Sequence, residues 1–318
     1  MLFLRERDVV ALLPMKDAIR VVREAFEQLA AGTAQNQPRR RLVLPSGAML
    51  HSLAGASHGY FGTKVYSTHP KHGAHFRVML YHGETGEPVA LIEANHLGQI
   101  RTGAATGVAT EFLANPDAAT LAVIGSGFQA RAQIEAVAAV RRLSDVRVWS
   151  RNAERRQRFA SDCARDFGLP SHVTTSAEDT VRGADIIVTM TYAKDPVLEA
   201  SWVGDGAHVN AAGSNHPQRR ELPSGLIARA SLIAVDSREQ SLIESGDLLL
   251  AWAPADWNTP RLVELSDVVT GRAKRPSSSA ITLFKSNGLG VEDVAAAAYV
   301  YERARARGLG EKLDRVGS

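Results

Sequence analysis

The chain has one cysteine in 318 residues, few aromatic side chains, no long apolar run and only a small net charge. Each shortage excludes something. A lone Cys163 rules out an intramolecular disulfide and a cysteine-rich metal site, which fits a reducing cytoplasm and leaves Cys163 a packing role. No run approaches the roughly 20 apolar residues that a spanning helix needs, so no membrane partner is expected. The opening residues Met1-Leu2-Phe3-Leu4-Arg5-Glu6-Arg7-Asp8 lack the charged-then-apolar order of a signal peptide, and none is expected. A formal charge of +3, dispersed along the chain, does not make the footprint of a nucleic-acid partner, and Arg39-Arg40-Arg41 leads at once into an apolar segment. His69, His72, His75 and His82 sit at spacings unlike a metal site, and no metal is expected.

What is present is a strand, a glycine turn and a helix in direct succession over Ala119–Ala132. Gly125 suits a tight turn, Gly127 has no side chain to hold a pyrophosphate off the backbone, and small Ala130 lets the helix lie close to the strand. The amides of Ser126, Phe128 and Gln129 fall in the same turn, where phosphate charge meets the positive end of a helix. A second strand, Val146-Arg147-Val148-Trp149, ends at Ser150-Arg151-Asn152. An NAD site usually carries an acidic residue there for the ribose 2′-hydroxyl, whereas a hydroxyl, a guanidinium and an amide suit a 2′-phosphate. NADP(H) is therefore favoured, with NAD(H) the alternative. The competing reading of Arg151 is the start of a solvated helix.

The length predicts two domains. A short strand at Leu2–Leu4, a helix over Met15–Leu29 ended by Gly32, and β-like runs from Arg41 to Glu93 make up a first, mixed α+β domain. A helix from about Ile100 to Ala114 leads to a linker at Asn115-Pro116-Asp117. Beyond it, strands at Asp185–Met190, Ala207–Ala212 and Leu232–Asp236 alternate with helices, the pattern of a doubly wound parallel sheet of Rossmann type. The alanine-rich helix from Val291 is placed to return to the first domain. The expected division is 1–114, completed by 290–318, and 115–289.

Lys64 lies in the apolar, glycine-rich strand Tyr60-Phe61-Gly62-Thr63-Lys64-Val65-Tyr66. It either points to solvent or is buried and needs an anion. Arg101 is expected to open its helix beside Thr102-Gly103-Ala104-Ala105, small residues that admit a ligand or another backbone. An Arg40 or Arg41 guanidinium is suited to join them on an α-carboxylate.

Gly-Thr-Lys64-Val, Ile-Arg101-Thr-Gly-Ala-Ala, Gly125-Ser-Gly-Phe-Gln-Ala130, Glu244-Ser-Gly-Asp247 and Lys285-Ser-Asn-Gly288 followed by Glu292-Asp293 occur in the order of the ornithine cyclodeaminase and mu-crystallin family, which the chain resembles over nearly its whole length. The resemblance implies a substrate and dimerisation domain joined to a Rossmann domain, and a homodimer formed through the substrate domains' sheets. It implies that Arg40 (or Arg41), Lys64 and Arg101 grip the substrate carboxylate, that the glycine turn holds the pyrophosphate, and that Ser286 and Gly288 approach the nicotinamide. Glu244 and Asp247 are expected to orient neighbours or cap a helix.

Two departures separate the chain from cyclodeaminases. Asn215 stands where they carry an Asp, and an amide cannot serve as general base. His51 stands where they carry a substrate-contacting Glu. It is a candidate proton carrier, as is Lys64. The expected activity is NAD(P)H-dependent reduction of imino acids, cyclic or open-chain, to L-amino acids, reversibly an amino-acid dehydrogenase. The alternatives are a cyclodeaminase-like lyase using bound NAD and a crystallin-like NADPH-binding protein without turnover.

Overall fold

The computed structural model describes residues 1–313. In chain order the elements are β1 (Leu2–Leu4), α1 (Glu6–Leu12), α2 (Met15–Ala30), β2 (Gln35–Val43), β3 (Met49–Ser57), β4 (Tyr60–His69), β5 (Gly73–His82), β6 (Pro88–Glu93), α3 (Asn95–Leu113), β7 (Thr120–Ile124), α4 (Phe128–Val140), β8 (Asp145–Trp149), α5 (Ala153–Phe167), β9 (Ser171–Val173), α6 (Ala177–Val181), β10 (Ile186–Thr189), β11 (His208–Ala211), α7 (Ser224–Arg229), β12 (Leu232–Val235), α8 (Arg238–Glu244), α9 (Gly246–Leu249), β13 (Leu262–Glu264), α10 (Leu265–Val269), β14 (Thr282–Lys285), α11 (Gly290–Arg307) and β15 (Glu311–Lys312). The chain forms two compact units, Met1–Arg101 with the chain from Leu289, and Thr102–Gly288. One division falls inside α3, ahead of the Asn115-Pro116-Asp117 linker. Residues 314–318 of the segment expected to complete the first unit lie outside the described residues.

In the first unit a seven-stranded sheet runs β15-β1-β6-β5-β4-β3-β2, antiparallel from β2 to β6. β2 starts at Gln35, well before the apolar run, although Pro38 lies inside it. An edge strand tolerates a residue without an N–H, and the register shifts between Gln37 and Arg40. α2 buries Ala18, Ile19, Val22, Ala25 and Phe26, one stripe at helical spacing, and packs against α11. The start of α11 lies directly on β3. A Cβ on Gly290 would come within 2.5 Å of the Ala54 carbonyl oxygen, and one on Gly55 within 2.5 Å of the Val291 nitrogen.

The second unit is an eight-stranded parallel sheet in the order β13-β12-β14-β11-β10-β7-β8-β9. Its central strands β7, β10, β11, β12 and β14 are buried on both faces. Ala122 and Ile124 pack in one core with Ile187, Val209 and Ile233, while Leu121 and Val123 pack in the other with Val146, Ile186 and Val188. That is why these segments read as continuous apolar runs. The strand order reverses between β7 and β10, the switch point at which ligands bind in open α/β sheets. The small residues after Arg101 serve a helix contact: a Cβ on Gly103 would fall 2.4 Å from the Ala132 carbonyl oxygen, and Thr106 donates to Gln133 at 2.6 Å.

Candidate functional site

Lys64 does not point to solvent. Its register partners are Leu53 and Val78, both buried, so alternation turns it to the covered face of the first sheet. There its Nζ donates to Asp293 Oδ1 at 3.0 Å. The same oxygen accepts from Arg101 Nε at 2.8 Å, and Arg101 Nη1 reaches Glu292 Oε2 at 2.7 Å. All four side chains are almost fully buried. Arg101 lies inside α3 rather than at its start, because the helix begins at Asn95, where Asn95 and His96 donate their N–H groups to Glu6. Gly98, one turn before Arg101, faces the Lys64 ammonium, and a Cβ there would fall 2.9 Å from Nζ.

Burial pushes the Lys64 proton affinity down, Asp293 restores part of it, and Arg101 and Arg39 oppose, leaving its pKa at about 8. Burial also acts against the Arg101 charge, but Asp293 and Glu292 outweigh it and hold its pKa raised. The sequence reading missed this acidic pair as counter-charges. The signal was there: two carboxylates on the buried side of an alanine-rich helix need cations as much as Lys64 needs an anion.

Of the two arginines expected at the site, Arg40 and its alternative Arg41, the sheet turns Arg41 towards the Lys64 face. Arg40 is exposed on the opposite face, its register partner Ser52 in turn facing exposed Val65. Arg39 is 5% exposed and Arg41 pairs in register with His51, so alternation brings Arg39 and Arg41 to the Lys64 face. His51 stacks on Tyr66 with centroids 4.2 Å apart and shares a hydrogen bond of 3.0 Å with Thr68 Oγ1. Burial, then Arg41 and Arg39, push its pKa down to about 4, so the imidazole is neutral at neutral pH and is a poor proton carrier.

In the second unit Gly125 follows β7 directly with φ 124°, and a Cβ there would meet the Met190 carbonyl oxygen at 2.2 Å; only glycine fits. Gly127, the N-cap of α4, has open space where a Cβ would stand and no side-chain cap on the helix. Ser126 and Gln129 are half-buried, Phe128 is exposed and Ala130 is buried. An uncapped helix start with an unobstructed approach fits a pyrophosphate. Ser126 Oγ and Ser150 Oγ are 2.8 Å apart. Arg151 is exposed, and Asn152 is committed to α5 as its N-cap, accepting from the Arg155 N–H at 2.8 Å.

Buried acids shape the loops at the strand ends of this unit. Glu221 accepts from Thr189, Thr191 and Gly213, while Asp247 accepts from the Glu221 and Leu222 N–H groups and pairs with Lys285 at 3.1 Å. Asp236 accepts from the N–H groups of Asn287 at 2.5 Å and Gly288 at 2.6 Å, which fixes the loop carrying buried Ser286. Burial raises the pKa of both Glu221 and Asp236, Asp247 adding to it for Glu221. Asn215 is exposed in the loop after β11. Among the described residues, no group of His, Cys, Asp and Glu is arranged to hold a metal, and no helix is long and apolar enough to cross a membrane.

A Rossmann-type unit with an open glycine turn, and an α+β unit with cations buried beside an acidic pair, are the parts of a dinucleotide-dependent enzyme. The chain belongs to the ornithine cyclodeaminase/mu-crystallin family, which it matches over residues 1–308. A Δ1-pyrroline-2-carboxylate reductase of Bacillus cereus is 43% identical over 239 residues, covering 74% of this chain and 73% of that protein. Ketimine reductase mu-crystallin of Rattus norvegicus is 39% identical over 233 residues, 73% of this chain and 70% of its own. Among solved structures, the Thermococcus litoralis Δ1-pyrroline-2-carboxylate reductase in complex with NADH and L-proline superposes with a TM-score of 0.93 at 31% identity, covering 98% of this chain and all of that one.

Proposed function

We propose that the protein is an NAD(P)H-dependent reductase of imino acids such as Δ1-pyrroline-2-carboxylate, giving L-amino acids and acting in reverse as an amino-acid dehydrogenase. The charge balance of the first unit carries this reading. Lys64, Arg101 and Arg39 are buried together with Glu292 and Asp293, three cations against two carboxylates, and a site of that balance suits a substrate carboxylate. Of Arg40 and its alternative Arg41, this reading assigns Arg41 to that recognition and adds Arg39. Lys64 Nζ, with a pKa of about 8, holds a proton at neutral pH and can return it readily, as protonation of an imine nitrogen requires. The named reductases among the relatives, and the proline complex of the Thermococcus litoralis enzyme, agree with that substrate class.

The glycine turn at the start of α4 would hold the dinucleotide pyrophosphate, and Ser286 and Gly288 would border the nicotinamide. When bound, the reduced dinucleotide supplies the hydride. Ser150 and exposed Arg151 favour NADPH over NADH, since no acidic residue stands there. Asn215 speaks against cyclodeamination, which calls for a carboxylate base. Exposed Leu42, Leu50, Phe61 and Val65 on β2 to β4 support a homodimer, and the single buried Cys163 suits a cytoplasmic protein. The test is oxidation of NADPH with a panel of cyclic and linear imino acids. Ammonia release from ornithine, faster than the best imine reduction, would promote the lyase instead.

A further inference from the structure

The buried cluster has an asymmetry that the substrate reading does not use. Lys64 and Arg101 both bind Asp293, and both through Oδ1, whereas Glu292 Oε2 accepts from Arg101. Asp293 therefore fixes the distance between the two cations and supplies the counter-charge of Lys64. From this geometry we infer that Asp293 is a positioning residue, holding Lys64 protonated and aligned for proton delivery, while the Glu292 carboxylate holds the carboxylate-binding Arg101. The role of Lys64 as proton donor rests on the function proposed above.

The groups around Lys64 set the expected sign. α11 contributes Asp293, α3 contributes Arg101, β2 contributes Arg39, and β3 contributes neutral His51 stacked on Tyr66. The rings of Tyr66 and Phe76 lie 5.8 and 5.4 Å from Nζ. Asp293 is thus the carboxylate in contact with the Lys64 ammonium, and the second acid of the cluster, Glu292 on α11, is engaged by Arg101. Removing its charge must lower the Lys64 proton affinity. Neutralising Glu292 instead weakens the hold on Arg101 and leaves Lys64 with its partner.

Asp293→Asn keeps an oxygen acceptor at the same place and deletes the charge, so it separates electrostatics from shape. In the full-length protein labelled at the lysine ε-carbon, the Lys64 signal is identified by its loss in Lys64→Met and titrated by NMR. The expected midpoint in Asp293→Asn lies at least one pH unit below that of the unmodified protein, about a tenfold loss of proton affinity. The limb of kcat/KM that follows Lys64 should shift with it. Glu292→Gln should raise KM with the midpoint unmoved. Asp293→Glu, which retains the charge on a longer arm, should restore the midpoint but not kcat, and it serves as the measurement if the Asn variant does not fold. An unchanged midpoint in folded Asp293→Asn, or one lowered as far in Asp293→Glu, overturns the inference. A lowered midpoint in a protein that reduces no imino acid upholds the electrostatic link and overturns the proposed reaction.

Discussion

Gly290→Ala adds one methyl group where α11 meets β3, and the structure gives the size of the conflict. The new Cβ would stand 2.5 Å from the Ala54 carbonyl oxygen, 2.7 Å from its carbon and 2.9 Å from its nitrogen. These are backbone atoms of a strand paired on both edges, so they cannot turn aside as a flexible side chain would. The first turn of α11 must move off the sheet by on the order of 1 Å, and overpacking of this kind costs about 1–3 kcal/mol. Alanine is the better helix former, by up to about 1 kcal/mol in a helix interior and less in a first turn, so the gain does not cancel the strain. The larger effect is on chemistry, because Asp293 lies in the turn that moves and its contacts at 3.0 and 2.8 Å set Lys64 and Arg101. A misplacement of about 1 Å costs on the order of a hundredfold in rate. The assay is kcat/KM for imino-acid reduction, with thermal unfolding and NADPH titration alongside. A loss of ten- to a hundredfold in kcat/KM is expected, with a modest fall in melting temperature and intact cofactor binding in the second unit. A variant within twofold of the unmodified activity would refute the reasoning.

Lys64→Met should cost roughly 2–5 kcal/mol in kcat/KM while NADPH binding survives; near-normal kinetics on the best substrate would dismiss the clamp. Arg101→Met should lose stability as well, by about 3–5 kcal/mol, because Glu292 and Asp293 lose a buried partner, and a denaturant titration reads the difference between the two variants. NADPH should bind more tightly than NADH, and Arg151→Ala should weaken NADPH selectively; equal affinities in the unmodified protein would reverse the cofactor assignment. Burial holds His208 at a pKa of about 3, below the value near 6.5 of an unfolded histidine. The unfolded chain therefore binds the proton first, so this stabilisation is complete above pH 6.5 and is lost as pH falls towards 3. Unfolding free energies of His208→Asn should fall less steeply over that range, and an unaltered slope would show that other groups govern it.

The second unit was the more legible part of the chain. Its glycine turn, strand runs and helix starts are local signals, and the central strands, buried on both faces, show as apolar runs, whereas the edge strands β9 (Ser-His-Val) and β13 (Leu-Val-Glu) do not. The first unit hides more. Lys64 could be read either way because alternation leaves the choice of face to its neighbours, and those come from α3 and α11, far apart in sequence. The run Arg39-Arg40-Arg41 offers three identical side chains, and only the shifted register of an edge strand decides which of them turn inward. Asn152 illustrates a different gap: an Asn beside a phosphate-binding turn and an Asn capping a helix look alike in sequence, and here the cap is what forms.

The sequence distance between Lys64 and its counter-ion has a bearing on synthesis. Asp293 lies 229 residues downstream, so a chain emerging from the ribosome presents β4 and the start of α3 long before the helix that neutralises them exists. Until α11 is released, Lys64 and Arg101 lack the carboxylates that permit their burial, and the covered face of the first sheet lacks the helix that lies along β2 to β5. The parallel sheet between them needs nothing from beyond Gly288 for its strands. Vectorial folding then runs from the middle of the sequence outward, and the first unit to be translated is the last to be finished.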